Sequence, residues 1–222
     1  MVSPLQLNGK TYSINSLSHP FFQAQINEMV KSKWYEVPIP EVGTIIDAGA
    51  NIGLYSLYMS EFAKTVYAIE PFTQSYDFLK KNIEDNKKEN IKAYKIGFAG
   101  TSGTRTIYSS FTPNDPSGFS LLPVGNPLEK VHTKTIAEFM RDEKIDLVHI
   151  FKTDIEGLEQ EIFSSDDFGD VAPKILTIVG EYHLQCPNLR EVLEYHGYDY
   201  SVKANGIFTA VRSVKKTDIL LP

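Results

Sequence analysis

The chain has 222 residues, 42% of them apolar, with 22 Lys and Arg against 28 Asp and Glu for a formal net charge of −6. That length suits one large α/β domain or two small ones, and 13 Phe and 12 Tyr supply a full core. The acidic balance disfavours a broad nucleic-acid footprint, which needs clustered Lys and Arg, and Lys80, Lys81, Lys87 and Lys88 fit a solvated helix face. The single cysteine, Cys186, excludes an intramolecular disulfide and a Cys-rich zinc site. No apolar stretch of about 20 residues offers a membrane span, and MVSPLQLNGK carries no basic-then-apolar leader, so the expectation is a soluble, cytoplasmic protein.

Residues 1–40 form a lead-in to a domain spanning 41–222. Within the lead-in, TYSI predicts a short strand, and Phe22, Ile26, Met29 and Val30 are spaced as on a helix. EVPIPEVG breaks the pattern with two prolines and a glycine. Strands and helices then alternate. TIIDAG is a buried strand ending at glycine, GLYSLYMSEFA a helix, and TVYAIEP a strand stopped by Pro71. Thr73 is the expected cap of a helix through TQSYDFLKKNIEDN, and IKAYKIGF predicts a third strand. This order argues for a parallel sheet covered by helices on both faces.

The middle of the chain is rich in glycine and proline. It predicts one antiparallel strand at Arg105–Ser109, then an irregular excursion that shapes a pocket. TIAEFMRDEK restores a helix, IDLVHIFKTD a strand, EGLEQEIF a helix and ILTIVGEYH a strand. PNLREVLEYHGY predicts a last helix between Pro187 and Gly197. YDYSVKANGIFTAVRS predicts a hairpin across Asn205-Gly206, which sets one antiparallel strand beside parallel ones.

The most informative stretch is T-I-I-D-A-G-A-N-I-G, residues 44–53. A strand delivers Asp47 at its carboxyl end, and Gly49 and Gly53 frame a tight turn into a helix. Ligands of open α/β sheets bind outside the carboxyl ends of strands. A dinucleotide loop wants G-x-G-x-x-G against a pyrophosphate, yet Asn51 stands where the second glycine belongs and Asp47 precedes the loop. D-x-G-x-x-x-G instead suits a cofactor bearing an ammonium and a sulfonium, with Asp47 holding its amino-acid end directly or through water. Glu70 ends the next strand, seventeen residues after Gly53. A carboxylate there can accept hydrogen bonds from both hydroxyls of a ribose.

Further acids follow. In K-T-D-I-E-G, Lys152, Asp154 and Glu156 alternate at a strand end and share one face in extended backbone. The plainer alternative is a Lys152–Glu156 pair with Asp154 capping the next helix. In G-E-Y-H, Glu181 and His183 share a face, and His183 is the candidate general base toward a hydroxyl acceptor. Two carboxylates and a histidine also suit a metal, although none is expected here. His19, His132, His149 and His196 lack ligand-like spacing and are expected to be structural.

These segments resemble the FkbM-type methyltransferases of the class I S-adenosylmethionine-dependent fold. The matching pieces are I-I-D-A-G-A-N-I-G-L-Y-S, Y-A-I-E-P with Leu79 and Asn82 following, T-K-T-I-A-E-F, and I-D-L-V-H-I-F-K-T-D-I-E-G-L-E, in family order over roughly residues 42–185. The resemblance implies a Rossmann-like α/β fold with a seven-stranded, mostly parallel sheet and one antiparallel strand from the C-terminal hairpin. It implies O-methylation of a hydroxyl on a sugar, polyketide or similar small acceptor, with S-adenosyl-L-methionine as cofactor. Asp47, Gly49, Asn51, Gly53 and Glu70 would line the cofactor, with Ile52 and Pro71 beside them. Asp154 would lie near the methionine end or the acceptor, and Glu181 would face the acceptor. Two positions depart from the family: Ala137 replaces a common acid, and G-F-A-G at 97–100 lacks the acid expected at adenine, where Phe98 would pack instead. An NAD-dependent oxidoreductase and a cofactor- or partner-binding protein without catalysis stay open as alternatives. The acceptor and the oligomeric state are not legible.

Overall fold

The computed structural model describes residues 2–7, 9–16, 42–109, 119–123, 125–204 and 206–213. The large sheet has seven strands: β3 (Val42–Ala48), β4 (Ala63–Ile69), β5 (Ile91–Tyr94), β10 (Val148–Thr153), β11 (Ile175–Glu181), β12 (Tyr198–Val202) and β13 (Ile207–Arg212). Their order is β12-β13-β11-β10-β3-β4-β5. β13 runs antiparallel to both β11 and β12, while the central pairs are parallel.

The central strands are mostly apolar because both faces are covered, and alternate side chains enter different cores. Ile45, Val66, Ile150 and Val179 point to one face, shared with α1 (Leu54–Met59) and α2 (Thr73–Asp85). Ile46, Tyr67, Phe151 and Ile178 point to the other, packed against α3 (Ile136–Asp142), α4 (Glu159–Phe163), α5 (Asp166–Val171) and α6 (Leu189–Tyr195). α3 begins at Thr135, whose hydroxyl accepts the Glu138 N–H at 3.1 Å. α6 ends before Gly197, which takes φ 85, the left-handed conformation that terminates helices.

A second sheet of four strands lies outside this frame. It comprises β6 (Gly97–Phe98), β7 (Gly103–Ser109), β8 (Phe119–Ser120) and β9 (Pro127–Lys134). It corrects two expectations. The run 91–98 is two strands, and β6 leaves the large sheet to pair in parallel with β9. β9 itself falls partly within what the sequence presents as irregular chain. The predicted cap Thr73 is also corrected: Phe72 holds the cap position, and Glu129 of β9 accepts both the Thr73 N–H (2.6 Å) and the Thr73 hydroxyl. A carboxylate from another sheet thus meets the positive end of α2. Of the predicted C-terminal turn, Gly206 takes φ 84 between β12 and β13, while Asn205 lies outside the described residues.

In the lead-in, β1 (Val2–Leu7) and β2 (Lys10–Asn15) form a hairpin. Leu5, Tyr12 and Ile14 are buried in the same core as α1 and α2. The predicted helix over 21–35 lies outside the described residues. Polar contacts seal the hairpin to the domain. Glu61 accepts hydrogen bonds from Tyr12 Oη (2.8 Å), Lys10 and Lys88. Burial pushes the Glu61 carboxyl up, but these three partners outweigh it and lower its pKa from 4.5 to about 2. A depressed carboxyl contributes stability above its unfolded value and loses it as pH falls toward its folded one. The urea midpoint of Glu61→Gln is therefore expected to lie below wild type near neutrality, and the gap to close progressively between about pH 4.5 and pH 2.

Candidate functional site

Ala48, Ile69, Thr153 and Gly180 stand in one row across β4, β3, β10 and β11. The residues that follow them, Gly49, Glu70, Asp154 and Glu181, emerge together at the carboxyl edge of the sheet. Parallel register alone thus gathers four of the sequence-predicted site residues.

The glycine loop is held by its backbone. The N–H groups of Gly49 and Ala50 both donate to the Ile69 carbonyl at 3.0 Å, and Asp154 N–H donates to Ala48 O at 3.2 Å. Gly49 has φ 73, and a Cβ there would lie 1.9 Å from the Asp154 carbonyl oxygen. Asn51 takes φ 49, a region Asn tolerates better than most residues. Its Oδ1 is buried without a hydrogen-bond partner. The Ile52 side chain is 1% exposed and belongs to the core beneath the loop.

Glu70 joins the loop to the start of α2: its two oxygens accept Asn51 N–H (2.8 Å) and Phe72 N–H (2.9 Å). Burial raises its pKa to about 7 against the lowering pull of those two amides and Lys152. A carboxylate offers about four lone-pair positions, so two stay open to hydroxyl donors. Pro71, directly after it, is half-buried.

Asp47 departs from expectation. It is fully buried, its Oδ2 accepts the Ser56 hydroxyl at 2.6 Å, and Lys152 Nζ stands 3.2 Å from its Oδ1. Lys152 also donates to the Gly49 and Ala48 carbonyls at 2.8 and 3.3 Å. Asp47 and Lys152 therefore hold the loop from behind, with the Asp47 carboxylate turned to Ser56 and Lys152. Lys152 likewise forms neither the Glu156 pair nor part of an open acidic face. Burial lowers the Lys152 pKa, but the charges of Asp47 and Asp154 outweigh it and raise the value, so the ammonium stays protonated. Phe98 is corrected too: its ring is 2% exposed, packed against Phe139 and Phe151 with centroids 5.4 and 6.0 Å away. The side chain faces the core rather than a ligand.

At the other end of the edge, His183 sits among carboxylates. Its Nδ1 is 3.2 Å from Glu159 Oε1, and its Nε2 is 3.6 Å from Glu156 Oε2 and 4.0 Å from Asp154 Oδ1. Glu159 is fully buried and is fixed by the N–H groups of Ile155 (3.1 Å) and Gly157 (3.0 Å). Burial lowers the His183 pKa, but Glu159, Asp154 and Glu156 together raise it to about 9. The surrounding carboxylates thus favour the protonated ring over the free base. Glu181 is half-buried, and burial together with the Asp154 charge raises its carboxyl pKa. Asp154, Glu156 and His183 each bring one ligand atom within 4.8 Å of the others.

Sequence reasoning missed Ser56, Glu159 and the true partner of Lys152. The signal for Ser56 was its place three residues beyond Gly53, on the helix turn that faces back to Asp47. Among the described residues, no helix is long and apolar enough to cross a membrane.

The chain is 24% identical over 225 residues to the protein named Methyltransferase sdnD of Sordaria araneosa, covering 85% of each chain. In structure it is similar to a precorrin-6y C5,15-methyltransferase of Geobacter metallireducens, with a TM-score of 0.55 and 15% identity over 90% of this chain and 94% of that one. It is also similar to an FkbM methyltransferase of Methylobacillus flagellatus, with a TM-score of 0.52 and 15% identity over 79% of this chain, although it spans only 44% of that chain. These structural likenesses establish the Rossmann-like fold. The methyltransferase FkbM domain model matches residues 47–200, from the buried Asp47 to the edge strand β12, and the protein belongs to that family of methyltransferases.

Proposed function

We propose that this methyltransferase takes S-adenosyl-L-methionine as methyl donor and methylates a hydroxyl of a sugar, polyketide or similar small acceptor. The observation that carries the proposal is the Gly49–Glu70 edge. The Gly49 backbone packs directly on the Asp154 carbonyl and brings the two strand ends together, the Asn51 amide oxygen is unpaired, and Glu70 keeps lone pairs for two hydroxyls. That set fits an amino-acid-bearing nucleoside better than a pyrophosphate, which Glu70 and the Asn51 side chain would oppose.

The bound donor would supply an activated methyl group, and the chain's task is alignment. Glu70 and the glycine loop fix the nucleoside side, and Asp154 stands between that side and the acceptor. Glu181, with its raised pKa, is the group placed to take the acceptor's proton. His183, held as a cation by Glu159, orients Asp154 and Glu156. The rate of methyl transfer is expected to rise on the acid side at a pH above the ordinary carboxylate value of 4.5. Glu181→Gln should flatten that limb; a limb near neutrality abolished by His183→Ala would return the base to histidine.

Calorimetric titration with S-adenosylhomocysteine tests the cofactor. Wild type is expected to bind at roughly micromolar Kd, and Glu70→Ala to weaken it about tenfold or more, the effect of losing hydrogen bonds to a charged group. A folded wild-type protein that does not bind would overturn the proposal.

A further inference from the structure

Asn82 lies in α2, away from the carboxyl edge, and is fully buried. Its amide uses every hydrogen-bonding position it has. Nδ2 donates to Ile52 O at 2.8 Å and to Asn15 O at 3.1 Å. Oδ1 accepts the Asn15 backbone N–H at 2.6 Å and the Asn15 side-chain amide at 3.0 Å. Flipping the amide would set an oxygen against two carbonyls and an NH₂ against two donors, so the orientation is determined by its surroundings.

Ile52 is the residue between Asn51 at φ 49 and Gly53 at φ 89. The N–H of the 52–53 peptide donates to Ala50 O at 2.8 Å, which leaves its carbonyl to be held from outside the loop. Asn82 is what it meets. One turn earlier, Leu79 fills the space over Gly53: a Cβ at Gly53 would lie 2.5 Å from Leu79 Cδ1. α2 thus braces the loop from one side while the Ile69 carbonyl holds it from the other. The same amide grips the last residue of β2, and Asn15 Nδ2 also donates to Asp85 Oδ2 at 2.7 Å.

We propose that Asn82 is a positioning residue for the cofactor loop, and that through Asn15 it makes the N-terminal hairpin part of the cofactor-binding machinery. The cofactor half of this proposal rests on the function argued above; the bracing of the loop does not. Because coupling is reciprocal, a ligand that orders residues 48–53 must also steady the hairpin.

Amide hydrogen exchange and S-adenosylhomocysteine titration test the proposal together. Asn82→Asp keeps the oxygen that receives Asn15 and removes the donor to the Ile52 and Asn15 carbonyls. It is expected to speed exchange of the loop amides at 49–53 about tenfold without ligand, while the Asn15 amide, whose acceptor oxygen remains, stays near wild type. It should also weaken S-adenosylhomocysteine about tenfold, and raise the KM for the methyl donor with kcat within about twofold. A purely structural role would lower the melting temperature and leave loop exchange and KM unchanged, and that result would overturn the proposal. Should Asn82→Asp fail to fold, wild type alone decides. Added S-adenosylhomocysteine must slow exchange at 12–15 as well as at 49–53, and protection confined to the loop would refute the coupling. If wild type binds no S-adenosylhomocysteine, the proposed function falls. Loop exchange in Asn82→Asp, or in Asn82→Ser if that variant folds better, then still decides the role of Asn82.

Discussion

Lys152→Met is expected to destabilise the protein by about 3–5 kcal/mol, the usual effect of stripping one partner from a buried ion pair. The substitution preserves the length of the apolar stem and removes the ammonium. It leaves the Asp47 carboxylate fully buried with only Ser56 as donor, and it removes the donor shared by the Ala48 and Gly49 carbonyls. Urea denaturation followed by circular dichroism gives the number. Asp47→Asn in the same background should recover part of the loss, because the stranded charge then disappears. A loss under about 1 kcal/mol in the single variant would mean that the pair is replaced by water, contrary to its burial.

Gly49→Ala is expected to abolish cofactor binding and to destabilise the fold severely. Two effects add at this position. The φ of 73 alone costs a non-glycine residue roughly 1–2 kcal/mol. The new Cβ would also stand 1.9 Å from a backbone oxygen of the loop after β10, which no rotamer change relieves. Gly9→Ala separates the two, since Gly9 has φ 75 with nothing within 4 Å of its Cβ position. Thermal melts of both variants should show a modest shift for Gly9→Ala and a much larger one for Gly49→Ala. Equal shifts would show that the strands at this edge part easily.

The sheet was legible because its signals are local. Apolar runs ending in Gly49, Pro71 and Asp154 marked strands, and Gly197 marked a helix end. The second sheet was not, because β9 has few apolar residues and is defined by pairing with β7 and β6 across the chain. IKAYKIGF could not reveal its own division, since the split at Lys95 and Ile96 depends on which sheet captures each half. At the site, the motif residues were found, but their partners were not. Asp47 looked like a ligand because the sequence does not say that Lys152, more than a hundred residues later, arrives beside it in register. Carboxylates near His183 could be expected from the strand ends, but not Glu159, which reaches its Nδ1 from the following helix.

The row formed by Ala48, Ile69, Thr153 and Gly180 also divides labour along the edge. β3 and β4 carry the side assigned to the donor, while β10 and β11 carry the side assigned to the acceptor. The two sides meet different parts of the second sheet: on the donor side Glu129 of β9 holds Thr73, while on the acceptor side Ser120 Oγ of β8 donates to the Glu156 carbonyl at 2.9 Å and Leu122 would lie 2.9 Å from a Cβ at Gly157. Sequence drift in β8 and the chain around it can therefore retune what is methylated while the donor's berth stays unaltered. In engineering terms the enzyme has a fixed chuck and an interchangeable jaw, and a library aimed at new acceptors belongs at 119–123 and 155–157 rather than at the glycine loop.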